Sequence, residues 1–330
     1  MTNSVILSNY ADIGDIYTMR AVERLKERTS LSGGAIRYPE LEKNKDILIK
    51  ADFAFTSWGM YPMSGVQISE YLPNLKCLFH AGDSTAGFAG EFLSSGVRVF
   101  NAPYALAKPV AEYTAALIVM ANKGFFRFVN YPDKRPDLYW GCHEKCRGNL
   151  NAKIGIFGFG AIGRYVAKIL CDYRMIVYVC DDGISAEEAA EYGAVLKDKR
   201  FLMGECDVIT NHLTHGKARE NYFDYGMFAL MKDDGVFINT NIGVPQVEEK
   251  GLVRALTEKP DRRAFFDVTW PEPLPADSGL LRLKNFYTTP HLGGNSGLEK
   301  EKLALEAIET FFRYLDNRND VSEVGISYIP

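Results

Sequence analysis

The run KIGIFGFGAIGRYVAKIL constrains the fold of this chain more than any other stretch. A strand-like apolar segment, KIGIF, meets a glycine-rich hexamer, GFGAIG at residues 158 to 163, which opens a helix-like segment. In that order the three glycines do different things. Gly158 permits a tight turn, Gly160 lets a pyrophosphate approach the backbone, and Gly163 lets helix and strand pack closely. Phe159, Ala161 and Ile162 complete the loop, and the free amides of the helix start face an anion. The next strand-like run, MIVYVC, ends at Asp181, 18 residues beyond Gly163. A carboxylate there accepts hydrogen bonds from ribose hydroxyls and repels a 2′-phosphate, so NAD is expected over NADP. The bland alternative is a glycine turn followed by a surface aspartate. Strand, loop, helix, strand and acid in sequence weigh against it.

At 330 residues the chain exceeds the length over which one hydrophobic core keeps growing, so two domains are expected. From residue 153 onward, strand-like runs (KIGIFG, MIVYVC, DVIT, GVFIN, AFFDV, FYTT) alternate with helix-like ones, the signature of a parallel sheet with crossover helices. Ser185 and Glu188 have capping-box spacing and predict a helix start near 185. The first hundred residues repeat the alternation more weakly, in SVILS, ADFAFTS, LKCLFHAG and VRVFNAP. Near the C-terminus, Leu303, Ala307, Phe311 and Leu315 fall at steps of four on one helical face, which should pack on the first domain.

A net charge of -4 supplies no basic field for nucleic acid or anionic lipid, so the expected partner is a small molecule. The longest apolar run, in VAEYTAALIVMANKGFF, falls short of a membrane span, and no basic-then-apolar leader opens the chain. The cytoplasm is the default location. The six cysteines are scattered and imply no disulfides. In CHEKC, Cys142, His143 and Cys146 lack a visible fourth ligand, so no metal site is expected.

The segment DVTWPEPLPADSGLLRLKNFYTTPHLGG brings Asp267, Glu272 and His291 together in sequence. Hydride transfer to a carbonyl needs a proton donor beside it, and an imidazole braced by a carboxylate supplies one near neutral pH. His291 with Glu272 is therefore the leading catalytic candidate. A lone histidine would be an ordinary surface or core residue.

With these residues in view, the chain resembles the D-isomer-specific 2-hydroxyacid dehydrogenases. LPNLKCLFHAG is similar to the family's substrate-loop segment, NAPYALAKPVAEYTAALIVMA to its interdomain helix, CDVITNHL and ALMKDDGVFINT to later cofactor-domain strands, and DVTWPEPLP and TTPHLGG to the segments bearing the catalytic acid and histidine. The resemblance implies an α/β protein of two domains, a doubly wound Rossmann-type NAD domain (102–294) inserted into a smaller flavodoxin-like catalytic domain (1–101 and 295–330). It also implies that Ala81, Gly82 and Asp83 offer backbone amides to a substrate carboxylate. Thr240 and Asn241 would line the nicotinamide, Asp267 would meet its carboxamide, and a homodimer would form through the helix starting at Val110. The implied activity is hydride transfer between NAD(H) and a small 2-hydroxyacid or 2-ketoacid.

One departure stands out. Where the family carries a substrate-clamping arginine, this chain has Ile242, and no arginine or lysine lies between Lys232 and Lys250. Loss of such a bidentate clamp typically costs roughly a thousandfold in rate. Three readings follow: another cation, with Lys108 as candidate, holds the carboxylate; the substrate is a related hydroxy or carbonyl compound without one; or the protein is an NAD-binding sensor or partner-binding module without turnover.

Overall fold

The computed structural model describes residues 2–129, 146–214, 219–241, 245–318 and 323–324. The chain divides into two compact units, Met1–Leu106 with Asn295–Pro330, and Ala107–Gly294. Ala102 and Ala105 are buried in the first unit's core.

The first unit is a five-stranded parallel sheet built from β1 (Asn3–Leu7), β2 (Ser30–Ile36), β3 (Phe53–Thr56), β4 (Cys77–His80) and β5 (Arg98–Asn101), in the order β2-β1-β3-β4-β5. β3 and β4 are buried at every residue, as a strand covered on both faces requires, and they read as continuous apolar runs. The edge strand β2, SLSGGAI, is exposed or half-buried at all but its last residue and carries two glycines, so its sequence shows no strand periodicity and gives no sign of the element. Helix Glu301–Leu315 buries Leu303, Ala307 and Phe311 here. The Phe311 ring lies 5.0, 5.2 and 5.3 Å from those of Phe53, Phe55 and Phe79. Aromatic pairs at such tilted geometry add to the area they bury.

The second unit is a seven-stranded parallel sheet: β6 (Lys153–Phe157), β7 (Ile176–Cys180), β8 (Ala194–Leu196), β9 (Val208–Asn211), β10 (Val236–Asn239), β11 (Arg263–Phe266) and β12 (Phe286–Thr288). Their order, β12-β11-β10-β9-β6-β7-β8, reverses at β6, which pairs with both β7 and β9. In open α/β sheets such a reversal is where ligands bind, outside the carboxyl ends of the strands. Helices Ala107–Asn122 and Ala161–Leu170 cover one face, and Lys199–Glu205, Tyr225–Ala229 and Glu249–Glu258 cover the other. The helix expected near 185 begins at Ala186, with Ser185 Oγ accepting from the Glu188 amide at 3.1 Å. β8 is a three-residue edge strand, too short to register as a pattern in the sequence.

Candidate functional site

The glycine loop obeys steric demands that its sequence foreshadows. Gly158 sits at φ +86°, and a Cβ there would lie 2.3 Å from the His212 carbonyl oxygen; one on Gly163 would lie 2.2 Å from the Gly158 carbonyl oxygen. Neither position accepts a side chain. A Cβ on Gly160 would meet nothing within 4 Å, so open space lies directly before the backbone at the helix start. Gly160 caps that helix without a side-chain hydrogen bond, which leaves the first-turn amides without a side-chain cap among the described residues. This cradle fits a dinucleotide pyrophosphate.

Asp181 closes the loop from β7. Its Oδ2 accepts from the Phe159 amide at 2.7 Å and its Oδ1 from the Gly183 amide at 2.8 Å. The Phe159 amide is thus committed to Asp181, and its ring is buried. Ala161 and Ile162, in the first helical turn, are half-buried. Arg164, which no sequence motif singles out, braces the same loop: Nε donates to the Phe159 carbonyl at 2.9 Å, the guanidinium pairs with Glu188, and it lies over the rings of Phe159 and Tyr192.

Beyond β9 and β10 lies a second arrangement that periodicity gives no sign of. His212 is buried, with Nε2 3.0 Å from Thr210 Oγ1 and Nδ1 3.5 Å from Thr240 Oγ1; burial pushes its pKa down to about 3, so the ring is neutral. Thr240 Oγ1 also lies 3.3 Å from Thr114 Oγ1. Beside them, Asn211 Nδ2 donates to Asn239 Oδ1 and to Gln246 Oε1, both at 2.9 Å, and Asn241 Nδ2 donates to the same Gln246 oxygen at 2.9 Å. Gln246 Nε2 donates to the Thr214 carbonyl at 3.1 Å. These amides tie the ends of β9 and β10 together. The signal in the sequence was four amide side chains, Asn211, Asn239, Asn241 and Gln246, where buried strand ends are ordinarily apolar.

Asp267 is 2% exposed and organises the loop after β12. Its Oδ1 accepts from Thr289 Oγ1 at 2.6 Å and from the Leu292 amide at 2.8 Å, and its Oδ2 accepts from the Gly293 amide at 2.8 Å. In the same loop His291 adopts φ +56°, its amide donating to the Asp267 carbonyl at 3.0 Å. Its Nδ1 lies 3.0 and 3.2 Å from the two carboxylate oxygens of Glu272. The two side chains remain 35% and 40% exposed, open enough for a ligand to reach the ring. A turned backbone at residue 291, held by a buried aspartate, thereby presents the imidazole to the acid 19 residues earlier.

In the first unit, the amides of Ala81 and Gly82 are already spent, on the Thr56 carbonyl at 2.7 Å and the His80 carbonyl at 3.0 Å. Asp83 Oδ1 accepts from the Ser84 amide at 2.8 Å. The Asp83 amide is the one of the three without a partner among the described residues. Under this loop His80 is buried, pushed down to about 4 by desolvation, and its Nε2 would touch a Cβ on Gly82 at 2.6 Å. Lys108 stands in helix Ala107–Asn122, 63% exposed and 3.7 Å from Glu112 of the same helix, a solvated pair. Ile242, Cys142 and His143 lie outside the described residues. Among the described residues no cluster of histidine, cysteine or carboxylate side chains could hold a metal, and no helix is long and apolar enough to cross a membrane.

Residues 127–293 match the family model for the NAD-binding domain of D-isomer-specific 2-hydroxyacid dehydrogenases. This chain belongs to that family. Among its relatives, D-3-phosphoglycerate dehydrogenase of Haemophilus influenzae is 27% identical over 70% of this chain and 56% of its own length, so this chain matches little more than half of that protein. Human glyoxylate reductase/hydroxypyruvate reductase is 28% identical over 72% of each chain. Among solved structures, apo D-mandelate dehydrogenase of Rhodotorula graminis superimposes with a TM-score of 0.79 at 18% identity, covering 98% of this chain and 97% of that one. The last likeness shows the shared fold.

Proposed function

We propose that this member of the family is an NAD(H)-dependent oxidoreductase that transfers a hydride between nicotinamide and a small 2-hydroxyacid, 2-ketoacid or related hydroxy or carbonyl compound. The observation that carries the proposal is the His291–Glu272 pair. With Nδ1–H donating to the carboxylate, Glu272 fixes the tautomer and orientation of the ring and offsets its charge when protonated, while Nε2, on the far side, gives or takes the substrate proton. Bound NADH supplies the hydride. Asp181 and the loop Gly158–Gly163 hold the dinucleotide, Thr240, Asn241 and Asp267 take its nicotinamide end, and the loop after β4 takes the substrate. The proposal includes a homodimer in the cytoplasm.

The test is a panel of 2-ketoacids, aldehydes and hydroxyketones followed by NADH absorbance. His291→Ala should lower turnover by about a thousandfold while NADH still binds. Equal rates in the variant would refute the assignment. The second reading, an NAD-binding sensor without turnover, draws on Ile242 in place of the clamping arginine. Tight NADH binding with no reduction anywhere on the panel would favour it.

A further inference from the structure

We infer that Tyr113 and Thr289 are positioning residues for His291: a chain of hydroxyls running from helix Ala107–Asn122 to Asp267 holds the turned loop that sets the imidazole against Glu272. This rests on the reading of His291 as proton donor, and every residue in it belongs to the second unit. The chain has a defined direction. Thr289 Oγ1 donates its one proton to Asp267 Oδ1 at 2.6 Å, since the carboxylate accepts there. The contact of 2.9 Å between Tyr113 Oη and Thr289 Oγ1 must then be donated by the tyrosine. Burial first, and the Asp267 charge after it, raise the Tyr113 phenol above its ordinary value of 10.0, so it keeps the proton that this order requires.

What the chain holds is a backbone that would not keep its shape unaided. His291 sits at φ +56°, a region that residues bearing a side chain rarely adopt and keep only where their surroundings fix it. Its amide is shared between the carbonyls of Asp267 and Thr289, both at 3.0 Å, and the next two amides, of Leu292 and Gly293, end on the Asp267 carboxylate. Thr289 therefore touches the turn twice, through its carbonyl to His291 and through its hydroxyl to Asp267. Tyr113 closes the loop sterically as well. A Cβ on Gly293 would lie 3.2 Å from Tyr113 Cδ1 and 3.0 Å from Asp267 Oδ2, so ring, carboxylate and loop are in close approach. Without the Thr289 hydroxyl, the Asp267 side chain keeps, among the described residues, the two amides of the loop it holds, and the link from both to the helix is broken. A shift of about 1 Å in a reacting group typically costs about a hundredfold in rate, and that is the scale on which such an anchor acts.

The test compares Thr289→Val, Thr289→Ser and Tyr113→Phe with the unaltered protein, using NADH with glyoxylate, hydroxypyruvate and glycolaldehyde as probes. Thr289→Val keeps the shape and removes the hydroxyl. Its kcat should fall about a hundredfold, while KM and NADH affinity stay within about threefold and the thermal midpoint holds. Tyr113→Phe leaves Thr289 on Asp267 and should lower kcat by about tenfold. Thr289→Ser restores the hydroxyl and should return kcat to within about threefold of the parent. A reading that needs no turnover comes from the nitrogen NMR signals of the His291 ring, identified by their loss in His291→Ala. With NADH bound and the ring neutral, the parent and Thr289→Ser should show one tautomer, with the proton on Nδ1, and Thr289→Val a mixture. Unchanged kcat and ring signals in Thr289→Val and Tyr113→Phe, or a fall in kcat matched by an equal loss of NADH affinity or folded stability, overturn the inference and leave the proton-donor reading standing. If the parent reduces none of the three probes, the ring signals alone decide it. Parental rates in His291→Ala overturn the proton-donor reading, and the inference with it.

Discussion

The two units place similar parts at the carboxyl edge of a parallel sheet and finish them differently. Each has a glycine-containing loop leaving an inner strand and a buried, neutral histidine beneath or beside it, His80 at the end of β4 and His212 just after β9. In the second unit the histidine has hydroxyls within reach of both nitrogens, and the loop leaves its backbone open at Gly160. In the first, His80 Nδ1 has no partner among the described residues, two loop amides are consumed internally, and a carboxylate is exposed. The contrast teaches that a glycine loop is an anion site only while its amides stay uncommitted. The composition of the loop does not reveal this; the destination of each N–H does.

The sharpest way to break the comparison is Gly158→Ala. The new methyl would stand 2.3 Å from a backbone oxygen at φ +86°, so the second unit should lose about 3 kcal/mol or more, read as a fall in its denaturant midpoint with loss of NADH binding. A variant as stable as the parent would show that the loop is not sterically fixed. Next comes acidity. The ordinary histidine value of 6.5 falls on folding to about 4 for His80 and about 3 for His212, because burial disfavours the charged ring. Between pH 6.5 and 4 the unfolded chain therefore binds more protons than the folded one, and stability must fall as pH falls through that window. The loss from His80 alone is about 3 kcal/mol, and His80→Gln should flatten the slope by about one proton, measured from urea midpoints across pH.

Gly160→Ala sharpens the contrast from the other side. Nothing lies within 4 Å of the added methyl, so stability should hold while NADH affinity drops by about tenfold or more, because the methyl takes the space a pyrophosphate needs. Calorimetry alongside thermal melts separates the two effects. The smallest change should come from Lys108→Ala. An exposed pair with Glu112 contributes under about 0.5 kcal/mol, and kcat/KM should stay within about twofold. A large drop in kcat/KM would support Lys108 as the substrate-holding cation.

The chain alone determined the elements whose rules are short-range. Alternating apolar runs became β6, β7, β9, β10, β11 and β12, Ser185 capped its helix, and the glycine spacing of 158, 160 and 163 met the steric demands of one turn. Two edge strands, glycine-bearing β2 and three-residue β8, stayed invisible because their stability comes from a neighbouring strand and not from their own pattern. Tertiary structure alone decided where the polar groups go: Asp267 committed to the loop of His291, four amides joining the ends of β9 and β10, and Asp83 folded onto the Ser84 amide. A hydrogen bond is satisfied by whichever partner the fold brings within about 3 Å, and for the buried groups that partner is often tens of residues away along the chain.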